Sequence, residues 1–116
     1  MKIKDVNSVC IIDIEGNPIS KADIKKLKEL FAKHTRSRRI GIDMVNVSFV
    51  DLDFLNFIKD FSEFNKISLF NLQNDVLLAL FVLKYDRFVD IYMNKSDFEE
   101  AKHTVLYRRL KLVKAA

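Results

Sequence analysis

The side chains able to do covalent or acid–base chemistry are few in this 116-residue chain: one cysteine, two histidines, and aspartates near the ends of apolar runs. Cys10 stands inside Val9-Cys10-Ile11-Ile12, a β-branched stretch that reads as a buried strand, where a thiol is a small core residue and not a nucleophile. A lone cysteine also excludes an internal disulfide and a cysteine-based zinc site, which suits a reducing compartment. His34 and His103 lie near helical patterns without metal-ligand spacing to each other or to the cysteine, so both are expected as solvated or capping residues. With only Gly16, Gly41 and Pro18 as backbone punctuation, there is no Gly-rich loop to cradle a phosphate. These residues point to a protein that is not an enzyme and carries neither metal nor cofactor.

Asp13, Asp43, Asp51 and Asp53 fall near predicted strand ends, where a phosphate-accepting receiver domain also places acids. A receiver needs an acidic pair after its first strand and a lysine after its last, and neither arrangement is present. Nothing in the sequence argues for a nucleotide site.

The elements that must position these acids follow from periodicity. A short strand is expected near Lys2 to Val6, a stronger one over Val9 to Ile14, then a turn at Glu15-Gly16-Asn17-Pro18. Ser20 reads as an N-cap with Asp23 three residues on, and Ile24, Leu27, Leu30 and Phe31 form the apolar stripe of a first helix ending near His34. Arg39 to Val45 returns to strand character, Val47 to Val50 leads to Asp51, and a second helix of roughly fourteen residues follows. Ile67 to Leu72 is a further strand, Asn74 to Lys84 a third helix, Phe88 to Met93 the last strand, and Ser96, with Glu99 at the capping-box position, opens a final helix. The sum is an α/β domain: a single mixed, mostly parallel sheet of about five strands with about four helices and right-handed crossovers.

Two helices carry more apolar surface than one core contact requires. In the second, Phe54, Phe57, Ile58, Phe61 and Phe64 cover about half the circumference, so part of that arc is a candidate for exposure. The third is apolar all round from Val76 to Leu83 and is expected to be buried on every side, with the C-terminal extension as its cover. In that extension Ala101, Val105, Leu106, Leu110 and Val113 recur near helical spacing among Lys102, Arg108, Arg109, Lys111 and Lys114.

The net charge of +4 is unevenly spread, with +6 over residues 21–39, −6 over residues 40–100 and +5 over residues 101–116. Such asymmetry steers a charged partner. Nucleic acid is not expected, because the lysines of the first helix lack interleaved aromatics for base stacking. Membrane insertion is not expected either, since the longest apolar run, Val76 to Leu83, is far short of the ~20 residues a bilayer needs. The N-terminus has no signal-peptide pattern, and a cytoplasmic location is expected.

Three stretches together resemble a known family. Val9 to Gly16 is similar to the strand ending in glycine that opens a STAS domain of the bacterial anti-sigma factor antagonists. Ile42-Asp43-Met44-Val45-Asn46-Val47-Ser48-Phe49-Val50-Asp51 resembles that family's central strand and the approach to its key helix. Ser96-Asp97-Phe98-Glu99-Glu100-Ala101 resembles the start of its last helix. The likeness covers roughly residues 2 to 103 and implies the STAS fold over 1–103, with 104–116 as a helical extension packed on the same domain or on a partner.

The resemblance also implies a site. In that family the acid is followed by two small hydroxyl residues, then glycine and leucine, and a kinase phosphorylates the second hydroxyl. Here Asp51 matches the acid and Leu55 the leucine, while Leu52, Asp53 and Phe54 replace the two hydroxyl residues and the glycine. No phosphorylation is expected, Ser48 being on the strand side of the motif. The implied function is a regulatory protein-binding module that docks an anti-sigma factor or related kinase through Asp51, Leu52, Asp53 and Phe54. The alternative is a cytoplasmic STAS subunit of a lipid-transport or other transporter ATPase, bound through the third helix and the basic C-terminus. A homodimer fits either reading.

Overall fold

The computed structural model describes residues 1–6, 9–16, 19–33, 39–63 and 66–100. Its strands are β1 (Lys2–Val6), β2 (Val9–Asp13), β3 (Arg39–Asp43), β4 (Ile67–Phe70) and β5 (Val89–Tyr92). Its helices are α1 (Lys21–Lys33), α2 (Leu52–Phe61), α3 (Asn74–Val82) and α4 (Lys95–Glu99), with a 3-10 turn at Tyr85–Phe88 before β5. The five strands lie side by side in sequence order. β1 pairs antiparallel with β2, and every later pair is parallel.

That topology determines where the helices go. Each crossover from β2 to β5 advances the sheet in the same direction, and right-handed connections then place α1, α2 and α3 on one face, all running opposite to the strands. The strands alternate accordingly. Cys10, Ile12, Ile40, Ile42, Ile67, Leu69, Val89 and Ile91 join one buried cluster with Leu27, Phe31, Phe54, Phe57, Ile58 and Leu80. Val9, Ile11, Phe70 and Tyr92 form a second cluster with Phe98 of α4 on the opposite face.

Aromatic contacts join α1 to α2. Phe31 meets Phe57 edge-on at 5.4 Å and Phe61 at 6.3 Å, and Phe57 lies 5.2 Å from Phe61. Such pairs add about 0.5–1.5 kcal/mol each beyond the burial of their area. On the other face the ring of Phe98 stacks on Phe70 at 5.4 Å, and the Arg39 guanidinium lies 4.4 Å from the centre of the same ring.

The expected order of elements is observed, with four local corrections. β3 ends at Asp43, two residues early, because Val45 and Asn46 form a turn. α2 has ten residues and ends at Phe61, with Ser62 as its C-cap. α4 begins at Lys95, since Asn94 and not Ser96 is the cap, its side-chain oxygen accepting from the Asp97 N–H at 2.8 Å. The fourth matters most: α3 is not buried all round, for Leu78 and Val82 face solvent, as does Leu83 just beyond it. Ser20 does cap α1, accepting from the Asp23 N–H at 3.1 Å. The turn at 17–18, Phe64, both histidines and the extension 104–116 lie outside the described residues.

Candidate functional site

The loop from β3 to α2 is braced at several points. Asp43, the last residue of β3, accepts through Oδ1 from the Val45 N–H at 3.1 Å, an Asx-turn, and from Nδ2 of Asn71 at 3.1 Å. Asn71, just past β4, has φ of 57°, the left-handed conformation that asparagine tolerates better than most side chains. Gln73 then donates from Nε2 to the Val45 carbonyl at 3.0 Å, and the Val47 N–H donates to the Met44 carbonyl at 3.0 Å. Met44 and Val47 are thereby held in the core. Val45 and Phe49 are turned outward, 48% and 51% exposed.

Asp51 ends the loop as the N-cap of α2. Its Oδ1 accepts from the Phe54 N–H at 3.0 Å and its carbonyl from the Leu55 N–H at 3.1 Å. Asp51→Ala should therefore lower stability by about 1 kcal/mol, within the usual range of about 0.5–2, while Asp51→Asn keeps the acceptor and most of the stability. Urea denaturation of the three proteins distinguishes them; equal midpoints would mean that the cap contributes nothing.

The other motif positions separate sharply. Leu52 is 66% exposed and Asp53 is exposed, its carboxylate in the first turn of α2 where the helix dipole favours an anion. Phe54 is 0% exposed, inside the cluster with Phe57, so the expectation that it could anchor a partner is corrected: the ring belongs to the core. The exposed apolar side chains near the motif are Leu52, which the sequence reading named, and Val45 and Phe49, which it missed. Val45, Val47 and Phe49 alternate as a strand would, hiding the turn; Asp43 followed by Asn46 was the available turn signal.

Asp53 also lines a groove of about 510 Å³ between α1 and α2, with Asn56 and Asp60 on the α2 wall and Lys21, Lys25 and Lys28 on the α1 wall. Among the described residues no three His, Cys, Asp or Glu side chains are grouped to hold a metal ion, and no helix is long and apolar enough to cross a membrane.

A mixed five-stranded sheet with three helices on one face and a short C-terminal helix on the other is the STAS-like fold of anti-sigma factor antagonists. The chain is similar to the crystal structure of a candidate anti-sigma factor antagonist, TM1081 from Thermotoga maritima. The TM-score is 0.68 at 20% identity, over 86% of this chain and 92% of that one. An NMR structure of TM1081 gives a TM-score of 0.62 at 21% identity, over 84% of each chain. No protein-family model matches the chain, and no curated protein does.

Proposed function

We propose that this protein is a non-enzymatic, cytoplasmic regulatory module of the anti-sigma factor antagonist kind, which docks a protein partner through the β3–α2 loop and the start of α2. The observation that carries the reading is the exposure of three large apolar side chains, Val45, Phe49 and Leu52, within eight residues at the motif-equivalent surface. Exposed apolar groups rimmed by polar ones mark interaction sites, and here Asp51 and Asp53 supply an acidic rim. The loop is braced by Asp43, Asn71 and Gln73, so little ordering is required on binding. Asp53 stands where the family's regulated hydroxyl would be. Its charge is permanent and smaller than the roughly −1.5 to −2 of a phosphate, so docking is independent of a kinase.

The test is capture of the partner from native lysate by immobilised full-length protein. Phe49→Asp with Leu52→Asp should reduce recovery at least tenfold, whereas Leu78→Asp with Val82→Asp should leave it unchanged. The reverse pattern favours the second reading, a transporter subunit gripped by its third helix, for which the exposure of Leu78, Val82 and Leu83 is the supporting observation.

A further inference from the structure

We propose that the groove between α1 and α2 is the interface of a twofold homodimer, in which Lys21 and Lys28 of each chain pair with Asp53 and Asp60 of the other. One wall of the groove is basic (Lys21, Lys25, Lys28), the other acidic and polar (Asp53, Asn56, Asp60), and Ile24 lies between them. Among the described residues no ion pair joins any of these five charges across the gap. The walls face each other with opposite charge and are not closed by each other.

The two walls also match in pitch and direction. Both helices run opposite to the strands, so they are parallel, and seven residues separate Lys21 from Lys28 as well as Asp53 from Asp60. At 1.5 Å per residue each pair spans about 10.5 Å along its helix. An isologous interface must be complementary to itself. A twofold axis lying in the interface along the helices carries α1 of the second copy over α2 of the first without reversing direction. Lys21 then meets Asp53, Lys28 meets Asp60, and Lys25 meets the neutral Asn56, twice over. An axis across the helices would set lysine on lysine. Leu52, exposed and adjacent to Asp53 in the chain, would add apolar contact to the pairing.

Sedimentation velocity of the full chain tests this. At about 0.1 M salt, wild type should sediment with twice its 13.6 kDa mass. At about 1 M salt, where the screening length falls from about 10 to about 3 Å, it should sediment as a monomer. Lys21→Glu with Lys28→Glu should be monomeric at low salt, as should Asp53→Lys with Asp60→Lys. An equimolar mixture of the two variants should recover the dimer, because reversed walls complement each other. A wild type that is monomeric at every concentration, a dimer insensitive to both reversals, or a mixture that stays monomeric would each overturn the interface.

Discussion

Phe54→Ala is expected to remove about 3–5 kcal/mol of stability, the usual cost of deleting a fully buried phenylalanine, and to lower the melting temperature by roughly 10–25 °C for a domain of this size. The ring is 0% exposed and lies 6.1 Å from Phe57, in the aromatic cluster that joins α2 to the sheet and to α1. Leu52→Ala, two residues earlier and 66% exposed, should change stability by no more than about 0.5 kcal/mol. Calorimetry on both variants separates the buried position from the exposed one two residues before it. A Phe54→Ala protein as stable as wild type but unable to capture the partner would return the ring to the interface and sink the assignment made above. The same reasoning predicts that Asp53→Ser with Phe54→Gly, which brings the family pattern closer, does not yield a working phosphorylation site. The cavity left by the ring, with the added cost of about 1 kcal/mol for glycine in a helix, removes much of the roughly 5–15 kcal/mol that holds such a domain together.

The contrast between Phe54 and Leu52 also marks what the sequence could and could not disclose. The β-branched run at residues 9–12, the strand character of Arg39–Asp43 and the helical stripe Ile24, Leu27, Phe31 marked real elements, so the element order and the mixed sheet were legible. The arc of α2 gave five rings or branched chains but not the phase of the helix on the sheet. That phase is set by packing against Phe31 of α1, a contact between elements far apart in sequence. α3 has no polar face to show which side is outward, and only its position over the sheet leaves Leu78 and Val82 in water. At the last helix, Asn94 with Asp97 and Ser96 with Glu99 are both acceptable cap patterns. Asn94 prevails because β5 ends at Tyr92 and the chain must turn at once.

In the two proposals, docking and self-association would draw on overlapping surface, since both use Asp53 and the exposed Leu52 next to it in the chain. Phe49 does not line the α1–α2 groove, and Lys28 lies on α1, away from the β3–α2 loop. Phe49→Asp should therefore weaken partner capture and leave the dimer intact, while Lys28→Glu should weaken the dimer and leave capture intact or raised. If the dimer hides Leu52, partner binding and dimerisation are mutually exclusive, and partner affinity should rise as salt dissociates the dimer.

Gly41→Ala is expected to be destabilising for a reason that can be reversed by a second substitution. A Cβ at Gly41 would lie 2.7–2.9 Å from three ring atoms of Phe98. The ring has no free side to retreat to: Phe70 stacks on it at 5.4 Å, Tyr92 meets it edge-on at 5.6 Å, and the Arg39 guanidinium is 4.4 Å from its centre. Overpacking of this kind costs about 1–3 kcal/mol, and relief requires α4 to lift from the sheet. Phe98→Ala alone should cost about 3–5 kcal/mol. In that background the clash is gone, and Gly41→Ala should become favourable by about 0.5–1 kcal/mol, because alanine loses less backbone freedom than glycine on entering a strand. The sign of one substitution thus depends on the other, and a denaturant-based double-mutant cycle reads the coupling directly. Equal losses from Gly41→Ala in both backgrounds would mean that the glycine serves the strand itself and that α4 is held by something other than Phe98 in its seat.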